Sequence, residues 1–498
     1  MFEAAEVGNT LADTVYKEQL QQLRVSLLEL QASARQQRLS VIVVVAGDDR
    51  AGRHEVINLL HEWMDPHYLH ASAYNTAIDR ENDAPFFSRY WKTLPPKGEI
   101  GIFLGDWTTM SLVERLDGDI DDVKLDKRIG FINAFERGLV DDGTLLIKLW
   151  LHLPKSILKK RLKQRKKDPE SQWRLREKDL QIYQNYDQSK LMMEKVLRRT
   201  NTGEAPWYII ESTDENYRNI TVANILKAAI AKRITRQSQA ERRRPRQETT
   251  GSAVTTTTVL QHLDLSRAIK KKKYKSELQR LQARLHELMW RAQDKGLSTV
   301  LVFEGVDAAG KGGAIRRITQ AMDAGFYNIV TVSKPTQEEL AYHYLWRFWK
   351  HVPMPGRTTI FDRSWYGRLL VERVEGFASE PEWMRAYNEI NQFEEQLVEH
   401  GLLVLKFWLH IDPDEQMRRF ELREQTPYKL YKITEEDYRN REKWSDYEIA
   451  ANDMIQYCST EFAPWHLVES QDKRYARIKV LSIVCEGLER QLKSLKGK

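Results

Sequence analysis

The chain is predicted to be α/β, with one architecture built twice: two tandem domains, each a parallel β-sheet flanked by helices. Three observations lead there. The 498 residues exceed the size at which a single hydrophobic core stops growing. A constant offset of 258, without a gap, lays Ala205-Pro206-Trp207 on Ala463-Pro464-Trp465, Lys148-Leu149-Trp150-Leu151-His152 on Lys406-Phe407-Trp408-Leu409-His410, Phe135-Glu136 on Phe393-Glu394, and Gly47 on Gly305. Short apolar runs alternate with stretches of helical spacing, the pattern of βα units and a parallel sheet. A period this long points to duplication and fusion, because solenoid and propeller units repeat every ~20 to 50 residues. The expected domains are 1–235 and 259–498, joined by a basic polar linker over 236–258.

Taken in order through the second copy, residues 278–292 open with Leu278, Leu281, Leu285 and Leu288 at three- or four-residue steps, an amphipathic helix. Residues 298–304 form a short apolar run that leads straight into glycine and reads as a buried strand. Helical spacing resumes over 313–322. Further apolar runs at 358–361 and 402–409 are expected strands separated by helices. In such sheets ligands sit beyond the carboxyl ends of the strands, where both Asp307 and Asp362 fall.

Composition narrows the class. Residues 1–16 have no basic start followed by an apolar core, and runs such as 41–46 are too short to cross a bilayer. Cys458 and Cys485 have no metal-like spacing and read as buried small hydrophobes in a reduced compartment. The expectation is a soluble, cytoplasmic protein without a membrane partner. The net charge is +7, yet residues 232–275 alone carry 13 basic and 3 acidic groups, so the remainder is slightly acidic. That excess follows Arg242-Arg243-Arg244-Pro245-Arg246, a polar stretch over 249–258, and Lys270 to Lys273 with Lys275. The middle of the connector is expected to be disordered and either simply solvated or attractive to a polyanion. No zinc-finger, RNP-type or helix-turn-helix signature supports specific nucleic-acid binding.

The chemistry is carried by two motifs. Gly305-Val306-Asp307-Ala308-Ala309-Gly310-Lys311-Gly312 has the P-loop spacing G-x-x-x-x-G-K between a strand and a helix. Its glycines let backbone N–H groups approach phosphate oxygens, and Lys311 adds a charge that can follow a transferring group. Gly312 stands where the hydroxyl ligand for magnesium is usual, so metal binding is assigned to Asp307 working with Asp362; hard oxygens suit Mg²⁺, with Mn²⁺ as a substitute. The second motif is Ile360-Phe361-Asp362-Arg363-Ser364-Trp365-Tyr366, with Arg368 nearby. Asp362 closes an apolar strand in the Walker-B-like position, and Arg363 can span phosphates on donor and acceptor. A third cluster, Arg418, Arg419, Arg423, Lys429, Lys432, Arg439, Arg441 and Lys443, falls on a predicted helix and lid; a basic lid neutralises transferring charge and excludes water. Trp346, Trp349, Trp365 and Tyr366 are available to stack on a base, although core packing is their ordinary role.

These motifs form an ordered set with Ser333-Lys334-Pro335-Thr336, Glu338-Glu339-Leu340, Leu345-Trp346-Arg347, Trp444-Ser445-Asp446-Tyr447, Ala463-Pro464-Trp465, and Lys473 with Ala476-Arg477. The set resembles the polyphosphate kinase 2 family over nearly all of the second half. The resemblance implies a P-loop core and helical lid similar to those of thymidylate kinases, inorganic polyphosphate as donor, Mg²⁺, and a nucleotide acceptor. It adds Lys334, Arg347, Lys473 and Arg477 as substrate-binding candidates beside Gly305, Gly310 and Gly312. Fused two-domain members are associated with phosphorylating AMP to ADP. An acceptor phosphate is already anionic, so alignment and charge neutralisation would suffice without a general base.

The first copy is expected to be degenerate. Lys311 corresponds to Arg53, Asp362 to Leu104, Arg363 to Gly105, Ser364 to Asp106, Arg368 to Met110, Lys334 to Thr76, Lys473 to Glu215 and Arg477 to Asn219, while Asp307 persists as Asp49. Arg161 and Arg165 persist opposite Arg419 and Arg423. Alternatives are an ADP or GDP acceptor, an ATP-dependent nucleoside monophosphate kinase, and a non-enzymatic polyanion-binding scaffold. A homo-oligomer is a further open alternative.

Overall fold

The computed structural model describes residues 1–48, 51–74, 84–167, 186–243, 259–426 and 435–495. The chain divides into two compact units: Met1–Arg80 with Thr93–Thr249 and Ala341–His343, and Glu81–Lys92 with Thr250–Leu340 and Tyr344–Lys498.

In the first unit the main elements are α1 (Asp13–Gln36), β1 (Val41–Gly47), α2 (Arg53–Trp63), β2 (Leu69–Ala73), β3 (Ile100–Leu104), α3 (Trp107–Asp117), α4 (Asp122–Asp141), β4 (Leu145–His152), α5 (Lys155–Lys167), α6 (Tyr186–Arg199), β5 (Trp207–Glu211) and α7 (Glu215–Arg243). The second unit repeats them as α8 (Lys271–Asp294), β6 (Thr299–Gly305), α9 (Lys311–Thr319), β7 (Tyr327–Thr331), β8 (Thr358–Asp362), α10 (Glu380–Glu399), β9 (Leu403–His410), α11 (Pro413–Glu424), α12 (Glu435–Glu442), α13 (Trp444–Cys458), β10 (Trp465–Glu469) and α14 (Lys473–Ser494).

Each sheet has five strands, in the orders β2-β3-β1-β4-β5 and β10-β9-β6-β8-β7, and the pairings within them are parallel. The central strands β1 and β6 read as continuous apolar runs because both faces are covered by helices. From β6 the chain runs out to the edge strand β7, returns to β8 beside β6, and then crosses to β9 on the other side. This opens a crevice at the carboxyl ends of the central strands, and the expected site residues lie there.

On one face of the second sheet, Leu281, Leu285 and Leu288 of α8 are buried with Val480, Leu481, Val484 and Leu488 of α14, and Leu278 packs at the margin. Each fully buried leucine contributes roughly 1.5–3 kcal/mol of apolar transfer. Cys485 belongs to this core and Cys458 ends α13; both are free and buried, and burial pushes their thiols up to about 11 and about 12. They are therefore neutral and unreactive as nucleophiles.

The expected linker begins inside a helix. The Glu-, Gln- and Arg-rich residues after 235 are good helix formers, and propagation from an established helix costs little, so α7 continues to Arg243. The stretch 244–258 lies outside the described residues. Lys271 to Lys273 and Lys275 form the first turns of α8.

A buried ion pair explains why Lys406 recurs as Lys148 in the middle of an apolar strand. Lys406 Nζ meets Glu394 Oε2 at 2.6 Å and donates to the Tyr366 hydroxyl at 2.8 Å and the Cys458 carbonyl at 2.6 Å. Glu394 Oε1 accepts from Trp365 Nε1 at 3.0 Å and Tyr366 Oη at 2.7 Å. Lys148 and Glu136 repeat the pair at 2.6 Å in the first unit, with Trp107 as donor. The pair anchors the turn after β8, behind Arg363. Lys406→Met leaves Glu394 buried without its counter-charge and is expected to lower stability by about 3–5 kcal/mol in urea unfolding; Lys406→Met with Glu394→Leu recovers part of that loss.

Candidate active site

The P-loop of the second unit has the backbone its sequence demands. Gly305 has φ +143°, and a Cβ there would lie 2.3 Å from the Leu409 carbonyl oxygen; Gly310, which opens α9, has φ +111°. Lys311 starts the helix, and its Nζ donates to the Gly305 carbonyl at 2.6 Å, folded over the loop. Gly312 has open space at the position of a side chain.

Asp307 sits inside this loop with both carboxylate oxygens engaged. Arg363 Nη2 donates to Oδ1 at 3.0 Å and Asn440 Nδ2 to Oδ2 at 3.0 Å. Burial alone would raise the Asp307 carboxyl, but the charges of Lys311 and Arg363 and the two hydrogen bonds outweigh it and hold it below the ordinary carboxylate range. Asp362 ends β8 in register with Phe303 of β6. Asp307 and Asp362 thus place hard oxygens at the mouths of neighbouring strands, a donor set that fits a divalent cation completed by substrate phosphate oxygens and water.

Arg363 itself has φ +65°, in the left-handed region that non-glycine residues rarely occupy. The conformation aims its guanidinium back toward Asp307. Just beneath lies Glu304, the buried penultimate residue of β6, whose Oε1 accepts from Ser364 Oγ at 2.8 Å; burial raises its carboxyl despite Lys311 nearby.

Arg419 of α11 is buried at 2% exposure, and its donors are taken by protein. Its Nη1 reaches the carbonyls of Ala308 (2.9 Å) and Ala309 (3.0 Å), its Nη2 those of Ser470 (2.6 Å) and Gln471 (3.0 Å), and its Nε reaches Glu415 at 2.5 Å. It holds the loop from behind. Arg418 pairs with the same Glu415 at 2.6 Å, and Gln416 Nε2 donates to the Asp307 carbonyl at 3.1 Å.

The remaining candidates spread along the crevice. Lys473 is the first residue of α14, where a cation opposes the helix dipole; burial and then Arg419 pull its ammonium down to about 8. Arg477, one turn on, lies beside Gly313. Arg347 donates to the Ser333 carbonyl at 3.2 Å and pairs with Glu339 at 3.2 Å, next to the exposed Lys334. Arg368 pairs with Glu372 at 3.2 Å and lies 4.5 Å from the Tyr344 ring centroid. Arg423 lies on α11 in the turn after Arg419. Arg441 of α12 donates to the Pro413 carbonyl at 2.5 Å, and Arg439 and Lys443 both reach toward Glu375. Lys429 and Lys432 lie outside the described residues. Trp346, Trp349, Trp365 and Tyr366 are buried in the core rather than offered to a base. Glu304, Gln416 and Asn440 were not singled out from sequence; the internal comparison carries a signal for all three, because Glu304 faces Ala46, Gln416 faces Leu158 and Asn440 faces Ile182 across the repeat.

In the first unit the same places are filled by other means. Gly52 keeps φ +92°, yet the buried Arg218 guanidinium occupies the space a Cβ would need and donates to the Ala51 carbonyl at 3.0 Å. Leu104 is buried, Gly105 has φ +71°, and Asp106 caps α3 by accepting from Thr108 N at 2.7 Å. Phe2 stacks on His152 at 4.5 Å beyond β4. Arg161 retains its bonds to the Ser212 and Thr213 carbonyls, at 3.1 and 3.0 Å. Asp49, Thr76 and the side chain of Arg165 lie outside the described residues.

A parallel sheet with a glycine loop, an invading lysine and two strand-end carboxylates defines a P-loop phosphotransferase. Comparison with known proteins makes this specific: the family model for polyphosphate kinase 2 (PPK2) matches residues 10–238 and again 268–496, and the chain belongs to that family. It is 48% identical over 490 residues to the polyphosphate:AMP phosphotransferase of Pseudomonas aeruginosa, covering 98% of this chain and 99% of that one. It is 46% identical over 500 residues to the polyphosphate:AMP phosphotransferase of Pseudomonas syringae pv. tomato, with 98% of each chain covered. The crystal structure of a Pseudomonas aeruginosa polyphosphate kinase 2 superposes with a TM-score of 0.88 at 45% identity, covering 99% of this chain and 100% of that one.

The left-handed backbone at residue 363 yields a test. Arg363→Gly is expected to be more stable than Arg363→Ala by about 1 kcal/mol, read from urea midpoints, because only glycine adopts this conformation without a Cβ penalty.

Proposed function

We propose that the second unit transfers the terminal phosphoryl group of inorganic polyphosphate to AMP, giving ADP and a polyphosphate shorter by one residue, with Mg²⁺ as the cation and Mn²⁺ as a substitute. The observation that carries the reading is the complete set Asp307, Lys311, Asp362 and Arg363 around one crevice, in a chain whose full-length relatives are named for this reaction. An oxygen of the AMP phosphate forms the new P–O bond while the bond from phosphorus to the bridging oxygen breaks. The attacking oxygen is already anionic and the bridging oxygen leaves with the bonding pair as part of the shortened chain's terminal phosphate, so no proton need be removed.

The chain's residues then have distinct tasks. The amides of Gly310 and Gly312 and the Lys311 ammonium cradle the transferring group. Arg363 leaves Asp307 to span donor and acceptor oxygens. Arg347, Arg368, Arg423, Arg441, Lys334, Lys473 and Arg477 hold the two polyanions in line, Lys429 and Lys432 belong to the same set, and Arg419 acts through the loop it braces. Asp307 and Asp362 would hold the cation, which when bound draws off charge from the bridging phosphate oxygens. The first unit, lacking this set, is a non-catalytic scaffold domain, and the chain works in the cytoplasm without a nucleic-acid partner.

Lys311→Ala and Asp362→Asn are expected to lower ADP formation by roughly 10³-fold or more, whereas Arg53→Ala leaves it within about twofold. The assay supplies AMP with polyphosphate as sole donor; ATP as donor, or ADP or GDP as acceptor, is run beside it, and faster turnover with any of these replaces the reading. The free Lys473 ammonium is charged below about pH 8 and neutral above it. Hence kcat/KM for polyphosphate is expected to fall as pH rises through about 8, and Lys473→Arg, which stays charged, to flatten that limb.

A further inference from the structure

The lid helix α12 reaches the P-loop through Asn440. Its Nδ2 donates to Asp307 Oδ2 at 3.0 Å, and its Oδ1 accepts from the Tyr447 hydroxyl of α13 at 3.4 Å. The amide orientation follows from chemistry, since an ionised carboxylate only accepts. Arg363 takes the other oxygen. The carboxylate best placed for a divalent cation is therefore enclosed by two protein donors, a neutral one from α12 and a cationic one after β8.

A dication at Asp307 would stand 2.0–2.1 Å from a carboxylate oxygen, the ordinary Mg²⁺ distance, against the positive end of the Asn440 amide. Amide and cation compete for one charge. The chain's other copy is informative in sequence: it keeps the acid as Asp49 but carries Ile182, a side chain without a donor, at the position matching Asn440. Arg441 to the Pro413 carbonyl and Lys443 to Glu375 hold the carboxyl end of α12, and the Tyr438 hydroxyl donates to Glu424 from its middle, while Asn440 joins this helix to the cation-binding carboxylate.

We propose that Asn440 is a positioning residue that latches α12 to Asp307 in the cation-free protein, and that a divalent cation arriving at Asp307 exchanges with the amide and frees the helix to close on substrate. The inference rests on the reading of Asp307 as a cation ligand. It makes lid position respond to metal before any phosphate has bound.

The test is amide hydrogen exchange of the full chain without nucleotide or polyphosphate, followed in peptides covering 438–447, with and without Mg²⁺. In wild-type protein Mg²⁺ is expected to accelerate exchange there by about tenfold, the order of one hydrogen bond to a charged group. Asn440→Ala is expected to exchange fast already and to ignore Mg²⁺. Calorimetric Mg²⁺ binding is measured alongside for wild type and Asp307→Asn. Tight binding that leaves the wild-type peptides unmoved, or Asn440→Ala matching wild type, overturns the latch alone. Equal Mg²⁺ affinity in wild type and Asp307→Asn overturns the cation assignment and the latch with it.

Discussion

A P-loop is a strand of backbone amides bent around empty space, and something must oppose its tendency to relax. In the second unit that task falls to the buried guanidinium of Arg419. It joins two carbonyls of the loop to two carbonyls after β10 and to Glu415 on its own helix, so three elements share one planar fork. Lysine could not replace it, because a point charge with three donors cannot meet five acceptors in a plane. With the loop's back secured, its amides and Lys311 face the crevice. Burial, and then the charge of this same arginine, lower the affinity of Lys473 for its proton, to a pKa of about 8.

The two copies separate scaffold from chemistry within one molecule. Retained in both are the strand order, the positive-φ glycines of the loop, the buried lysine–glutamate pair and the arginine that ties α5 or α11 to the loop after the last strand. Lost from the first are the groups that would carry charge into the crevice: Lys311, Asp362, Arg363 and Glu304 face Arg53, Leu104, Gly105 and Ala46. What persists is buried or backbone-determined, and what vanished lies at the mouth of the crevice or, for Glu304, just beneath it. The scaffold is thus shared by both units, while the charged groups of the crevice belong to the second.

Much of the architecture was legible because β6, β8 and β9 are covered on both faces and so appear as largely apolar runs, interrupted by Lys406 in β9 and Glu304 in β6. Edge strands β7 and β10 were not: β7 is largely exposed, and its sequence carries no period strong enough to distinguish strand from loop. The linker boundary misled for a related reason, since basic composition is compatible with both a solvated coil and a helix already nucleated upstream. At the site, motif spacing located Asp307, Lys311, Asp362 and Arg363, but not the direction in which a side chain turns. Arg419 looked like one lid cation among several, and only three-dimensional packing shows it facing inward. Asn440 and Gln416 approach the loop from more than 100 residues away; their replacement by Ile182 and Leu158 in the other copy marks them as different, but does not show what they touch.

The matched left-handed turns at Arg363 and Gly105 bear on the history of the first unit. There the backbone has closed: a Cβ on Gly105 would lie 2.3 Å from the Tyr74 carbonyl oxygen, and Arg218 already fills the space beside Gly52. Restoring an arginine at 105 therefore creates a clash before it creates a charge, and restoring the loop lysine leaves the intruding guanidinium in place. Neither change by itself rebuilds the charged set of the second unit, and the one at 105 also carries a steric cost. The loss behaves as a ratchet, which releases the first unit from the geometric demands of an active site and leaves its surface free to diverge.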